Sequence, residues 1–295
     1  MEPDRENLEE KRKELGRTDE PLEDELVEEF ENTVTEGAER LTRTWRAMTI
    51  TGLFGGIDVG VGILAYLAVK EATGSDLLAG AAFGFGLLAL QLAHSELFTE
   101  NFLVPIYAVV SRHSTWWQLA RFWTVTLLTN LLGGWLFTWL IVAGFPQFHD
   151  VLEESATTYL EGGLTVESAA LALLAGSTIT LGTRMSQGSS NEVVHTAIAL
   201  IDGLLVVGLG MLHGALNSAV IFGAMHAGAD ISYTEWLVWM LWVIPLNMVG
   251  GLVIITMPRL IRTLELIKKE RGQQERGQQE RGQQEREHAA DGRVV

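Results

Sequence analysis

The chain has 295 residues, a formal net charge of −16 and no cysteine, so disulfides, cysteine-ligated zinc and thiol nucleophiles are excluded. Residues 1–40 carry 16 acidic and 6 basic side chains, an excess that opposes nucleic-acid binding. Two average soluble domains would fit this length, but the polarity is arranged as one membrane domain between two polar tails.

The opening, Met1-Glu2-Pro3-Asp4-Arg5, has no signal-peptide pattern, so the first apolar stretch is read as a retained span. Residues 1–19 form an acidic tail. Such a surface suits high salt, where screening removes self-repulsion. Over 20–44 the spacing of Leu22, Leu26, Phe30 and Val34 predicts an amphipathic cytoplasmic helix. It could pack under a pore and gate it, or simply lie on the membrane face.

Residues 45–262 are the membrane domain. Ala47–Val69, Leu77–Ser95, Phe122–Phe145, Thr196–Ala229 and Trp236–Pro258 are nearly free of charge, and a shorter apolar run spans Ser168–Thr183. A helix crosses about 30 Å of hydrocarbon with roughly 20 such residues, which predicts six spans. Two stretches are anomalous. Leu77–Val110 is interrupted by Glu96, Thr99, Glu100, Asn101 and Pro105, and Thr196–Ala229 by Gly208, Gly210, His213 and Gly214. A straight helix of either length would reach roughly 51 Å, too long for the bilayer, so each is read as two half-helices with a polar break. Behind each break stands the same motif, Asn130-Leu131-Leu132-Gly133-Gly134 and Asn247-Met248-Val249-Gly250-Gly251. The matched offset predicts two three-helix repeats of opposite topology, with both breaks near the midplane. The glycines are read as points of close helix packing.

Residues 263–295 form a low-complexity tail in which Glu270-Arg271-Gly272-Gln273-Gln274 repeats three times; the repeat has no apolar residue to bury, and the tail is expected to be disordered. Basic residues cluster before the first span (Arg40, Arg43, Arg46), between the second and third (Arg112, Arg121) and after the last (Arg259, Arg262, Lys268, Lys269). Residues 146–167 have acids but no Lys or Arg. The bias puts both termini in the cytoplasm of a multi-pass plasma-membrane protein.

Irregular backbone within a membrane must be buried or face water, so two breaks at one depth suggest a permeation path. Half-helix N-termini turned toward it would favour anions. Here the sequence resembles a known family. Ser95-Glu96-Leu97-Phe98-Thr99-Glu100-Asn101 is similar to the loop that breaks the second helix in the formate/nitrite transporter family. His213-Gly214-Ala215-Leu216-Asn217 is similar to that family's H-x-x-x-N at the fifth-helix break, and Phe83 and Leu87 stand where the family has apolar pore residues. The likeness runs over roughly residues 45–260. It implies an aquaporin-like, all-α protomer of six helices, assembled as a homopentamer in lipid with one pore per subunit. It also implies that His213 is the central pore histidine, Thr99 its polar partner, Asn217 a supporting amide, and Leu97, Phe98, Phe83 and Leu87 the apolar constrictions. Three positions depart from the pattern: Gly176 where the family often has asparagine, Leu212 where it commonly has an acid, and Val206 where it has an aromatic.

A lone anion in an apolar slit loses hydration at a cost of several kcal/mol, which a histidine donor or cation would offset. His213 could give its proton to a weak-acid anion, or only donate a hydrogen bond. Thr99 could touch substrate, cap the following half-helix, or both. Glu96 and Glu100 are expected at subunit contacts or the cytoplasmic mouth, and Trp116, Trp117, Trp236 and Trp239 as interfacial anchors. His94 and His113 lack a ligand pattern with His213, so no metal, cofactor or catalytic residue is assigned. The sequence therefore reads as a transporter of small monovalent anions such as formate or nitrite, sensitive to pH through His213. The alternatives are a pore for a small neutral solute and a non-conducting scaffold or regulatory protein.

Overall fold

The computed structural model describes residues 21–268, 271, 272 and 276; the acidic tail expected over 1–19 and most of the repetitive end lie outside the described residues. Every regular element among the described residues is helical. In chain order these are α1 (Pro21–Thr42), α2 (Trp45–Thr73), α3 (Asp76–Leu92), α4 (Val104–Val110), α5 (Trp116–Gly144), α6 (His149–Leu160), α7 (Val166–Gln187), α8 (Glu192–Val206), α9 (Gly214–Ala227) and α10 (Tyr233–Val249). Past Val249 the backbone widens into a π-wound stretch, Gly250–Thr256, and returns to α-helix over Met257–Arg262.

Local chemistry sets the ends of these helices. The Thr44 side chain accepts from the Ala47 N–H at the start of α2, and Gly74, at φ +66°, closes the other end through its N–H to the Lys70 carbonyl. Reciprocal capping boxes, Thr165 with Ser168 and Ser232 with Glu235, start α7 and α10. Among the described residues four helices are long and apolar enough to cross a membrane: α2, α5, α7 and Tyr233–Arg262. The two anomalous stretches form no single rod. The first leaves α3 at Leu92, passes His94 in the left-handed region, and resumes through a 3-10 turn, Phe98–Phe102, before α4. The second leaves α8 at Val206, turns at Gly210 (φ +66°) and resumes at Gly214.

The described residues fall into two compact units. One draws on the described residues within 21–42, 104–119 and from 259 onward. In it α1 packs on α4, burying Val27, Phe30, Val34 and Leu41, with the Phe30 and Tyr107 rings edge to face at 5.9 Å. Phe30 and Val34 were on the stripe expected from sequence; the side chains of Leu22 and Leu26 lie outside the described residues. The other unit holds Arg43–Leu103 and Ala120–Pro258. There α3 is packed between α2 and α8, while α7 lies against α10 and its π-wound continuation. Apolar side chains also cover the outside of this unit: Leu128, Leu136, Trp139 and Leu140 of α5, and Leu237, Val238 and Leu241 of α10, are exposed. A soluble protein rarely presents such faces, and lipid or a neighbouring subunit would cover them.

Candidate functional site

Two buried asparagines organise the interruptions. Asn130 of α5 accepts from the Phe98 N–H through Oδ1 at 2.8 Å, and its Nδ2 donates to the carbonyls of Gly52 (2.7 Å) and Glu96 (2.8 Å). Asn247 of α10 repeats the pattern on the other break. Its Oδ1 accepts from the Gly214 N–H at 2.8 Å, and its Nδ2 donates to the carbonyls of Ala172 (2.7 Å) and Leu212 (2.8 Å). Each amide therefore supplies partners for two backbone groups at a break, and ties the break to an uninterrupted helix, α2 or α7. The glycines of the repeated motif allow this approach. A Cβ on Gly133 would meet the Leu53 carbonyl, and one on Gly250 the Leu173 carbonyl. The asparagines' own carbonyls leave no more room: a Cβ on Gly56 would fall on that of Asn130, and one on Gly176 on that of Asn247. Gly176 is thus small for a packing reason.

His213 is the N-cap of α9 and is fully buried, as is Thr99. Its backbone N–H donates to Asn217 Oδ1 at 2.6 Å. The Leu216 N–H, which can only donate, reaches His213 Nδ1 at 3.2 Å. Nδ1 is therefore the acceptor nitrogen of a neutral ring and Nε2 carries the proton. Nε2 lies 2.8 Å from Thr99 Oγ1, so the imidazole donates to the hydroxyl and the hydroxyl keeps a proton to offer onward. The result is a directed chain, Leu216 N–H to imidazole to Thr99, that ends in a donor. Two of the first three amides of α9 are not open to a ligand in the way a bare helix N-terminus would be, because Gly214 and Leu216 already donate to Asn247 and His213.

A family model described as "Formate/nitrite transporter" matches residues 27–261. The chain belongs to the formate/nitrite transporter family. Its relatives include inner membrane protein YfdC of Escherichia coli K12, 28% identical over 169 residues that cover 54% of this chain and 53% of that protein. The uncharacterized transporter YrhG of Bacillus subtilis 168 is 27% identical over 83% of this chain and 94% of its own. Formate channel FocA of E. coli K12 is 25% identical over 56% and 62%. The chain thus spans about half the length of the first of these relatives. Among solved structures, a pentameric formate channel with formate bound superposes with a TM-score of 0.62 at 20% identity, covering 75% of this chain and 98% of that one. An FNT family ion channel gives 0.68 at 17% identity over 78% and 97%. The family and fold are those of channels and transporters, and the protein is a multi-pass membrane protein.

In this family member the residues singled out from sequence divide into two groups. His213, Thr99 and Asn217 converge as described. Phe83, Leu87 and Leu97 are buried in one apolar cluster with Leu212, Ala215 and Leu216. Phe98 belongs to a separate cluster with Phe102 and Ile244, its ring 5.1 Å from Phe102 and 6.3 Å from Trp123. Glu96 differs from the expectation of a mouth or subunit contact. It is buried within the chain, paired with Arg43 Nη1 at 2.5 Å and accepting from Asn101 Nδ2 at 3.0 Å. Pairing makes a buried carboxylate tolerable beside the break. Trp239, read as an interfacial anchor, is buried in the core, and Trp236 donates to Ser218 Oγ at 2.8 Å. Trp116 and Trp117 are exposed.

Sequence reasoning missed three contributors. In the sequence Arg43 is legible only as a charge that orients the chain, and Trp123, whose Nε1 donates to the Asn101 carbonyl at 3.0 Å, carries no signal of that bond. The asparagine pins were in view, but their work was credited to the adjacent glycines. Asparagine in the middle of an apolar helix was the available signal, since such a group must find buried partners. Among the described residues no three His, Asp or Glu side chains gather as a metal site.

Proposed function

We propose that the protein moves small monovalent anions, formate or nitrite being the natural candidates, across a membrane through the His213–Thr99 site. The observation that carries this reading is the donor-terminated chain at the His213–Thr99 pair, set beside the apolar cluster of Phe83, Leu87, Leu97 and Leu212: Nε2 lies 2.8 Å from Thr99 Oγ1 with both residues fully buried. A buried polar pair in a membrane domain is functional by default, and a donor is what a partly dehydrated anion needs. The formate channels among the relatives and structural neighbours support the same substrate class.

In this reading residues 45–262 are the transporting domain, built from six spans as two inverted three-helix repeats with broken second and fifth spans in an aquaporin-like protomer. The matched work of Asn130 and Asn247 supports the repeat. Phe83, Leu87, Leu97 and Phe98 are the apolar walls, Asn217 holds His213, and proton exchange at His213 makes transport sensitive to pH. The working form is a homopentamer in lipid. Both termini are cytoplasmic, with residues 20–44 a cytoplasmic helix flanked by the tail over 1–19, and 263–295 a tail at the other end.

Purified protein in liposomes tests the reading, with formate, nitrite, chloride and a neutral solute each followed at pH 5 and pH 7.5. Formate or nitrite flux that depends on pH and disappears in His213→Ala is the expected result. Neutral-solute flux that persists unchanged in the mutant would replace the anion reading with a neutral-solute pore, and no flux of any solute would replace it with a scaffold.

A further inference from the structure

A cavity of about 330 Å³ lies beside the second break. Tyr66 and Lys70 of α2, Asp76 at the start of α3, Glu154 and Tyr159 of α6, and residues 207–210 line it. Residues 207–210 are the turn that leads into Leu212 and His213. Tyr159 is buried with its hydroxyl facing the Asn217 side chain, and Asn217 holds the His213 N–H at 2.6 Å. The cavity floor is therefore one side chain from the candidate site.

Its charge is unbalanced. Lys70 Nζ lies 2.5 Å from Asp76 Oδ1, so the basic side chain of the lining is already matched. Glu154 adds a second carboxylate with no further cation among the described residues of the lining, and Tyr66 is bonded to Ser155 Oγ at 3.2 Å. The rest of the segment that bears Glu154, residues 146–167, has no Lys or Arg. In a concave mouth an uncompensated charge sets up a potential that attracts ions of the opposite sign and falls with ionic strength, even where solvent reaches the carboxylates, as at Asp76, whose side chain is 60% exposed. Such a potential depletes anions and enriches cations, and leaves neutral molecules at their bulk concentration.

We propose that this cavity is the antechamber to the His213 site on the face bearing residues 146–167, and that it selects by charge, so a weak acid arrives from this face as the neutral molecule rather than as its anion. The antechamber role rests on the transport reading above; the charge selection does not. An anion arriving unprotonated would have to displace Asp76 from Lys70 or pass Glu154 unpaired. The neutral acid meets neither obstacle and finds hydroxyl partners in Tyr66, Ser155 and Tyr159.

The chain has no native cysteine, which makes a direct test possible. Thr158→Cys and, independently, Leu209→Cys place a thiol on the exposed rim of the cavity lining in the full-length protein. Each is reacted with a methanethiosulfonate reagent bearing an ethylammonium group and with one bearing an ethylsulfonate group, and rates are compared with those of a free thiol. At low salt the cationic reagent is expected to gain roughly tenfold over the anionic one relative to the free thiol. The gain should shrink in high salt and in the added Glu154→Gln variant. A ratio equal to the free thiol's, a preference for the anionic reagent, or no response to Glu154→Gln overturns the charge selection. In liposomes, Glu154→Gln should raise formate entry from this face several-fold at low salt and leave a neutral solute unchanged. A fall in formate entry would overturn the proposal as well. If the wild type moved no formate at all, the transport reading would fail, and the reagent ratio would still decide whether the mouth sorts by charge.

Discussion

At the scale of single residues, the chemistry concentrates in His213 and Thr99. The Leu216 N–H fixes which ring nitrogen carries the proton, so the imidazole presents Nε2–H and not a lone pair to Thr99. Removing the ring by His213→Ala takes away the donor that offsets dehydration; a loss of about 1.5–3 kcal/mol corresponds to roughly a 10- to 100-fold fall in anion flux. Liposome flux of formate measures it, and unchanged flux would remove His213 from the route. Thr99→Val keeps the shape but leaves Nε2–H without its acceptor. Flux is expected to fall less than in His213→Ala, and thermal stability in detergent to drop by about 1–3 kcal/mol, the cost of a buried donor left unpaired. The sequence made these two residues visible because an ionisable or polar side chain stands out in an apolar stretch. It could not display the tautomer, which depends on a backbone amide three residues along approaching from the turn of α9.

At the scale of elements, the interruptions are held by neighbours and not by themselves. Asn130 and Asn247 each make three hydrogen bonds to backbone groups of two other segments. Alanine at either position would strand those groups, and a loss of about 3 kcal/mol or more is expected from each. Since the two amides do the same work, Asn130→Ala and Asn247→Ala should lower the unfolding temperature in detergent by similar amounts. A large asymmetry between them would mean that one break has other support. Asn247→Asp should be no milder than alanine, because it keeps the acceptor, forfeits both donations and buries a charge. Gly176→Ala should also destabilise, by about 1–3 kcal/mol, because its Cβ would land on the Asn247 carbonyl. Spacing and composition exposed the anomalous stretches and the repeated motif. The partners of the asparagines escaped notice because they lie 32 to 78 residues away in sequence, where periodicity carries no information. Glu96 was misplaced for a related reason: its counter-ion, Arg43, is 53 residues earlier.

At the scale of the whole molecule, the apolar side chains left exposed on α5 and α10 require a cover of lipid or protein. A closed ring of copies would supply part of it, and native mass spectrometry from detergent is expected to give a species about five times the 32.4 kDa chain. A monomer or dimer there would remove the pentamer from the reading. The asparagine pins also bear on how such a chain is made. The Asn130 side chain bonds to Gly52, Glu96 and Phe98, and the Asn247 side chain to Ala172, Leu212 and Gly214. During synthesis, the amide and carbonyls that each asparagine serves therefore lack that partner until the helix carrying it, α5 or α10, emerges. Neither asparagine waits for the other, but the first break is complete only when the later segments arrive, since Thr99 meets His213 and the Phe102 carbonyl accepts from Thr256.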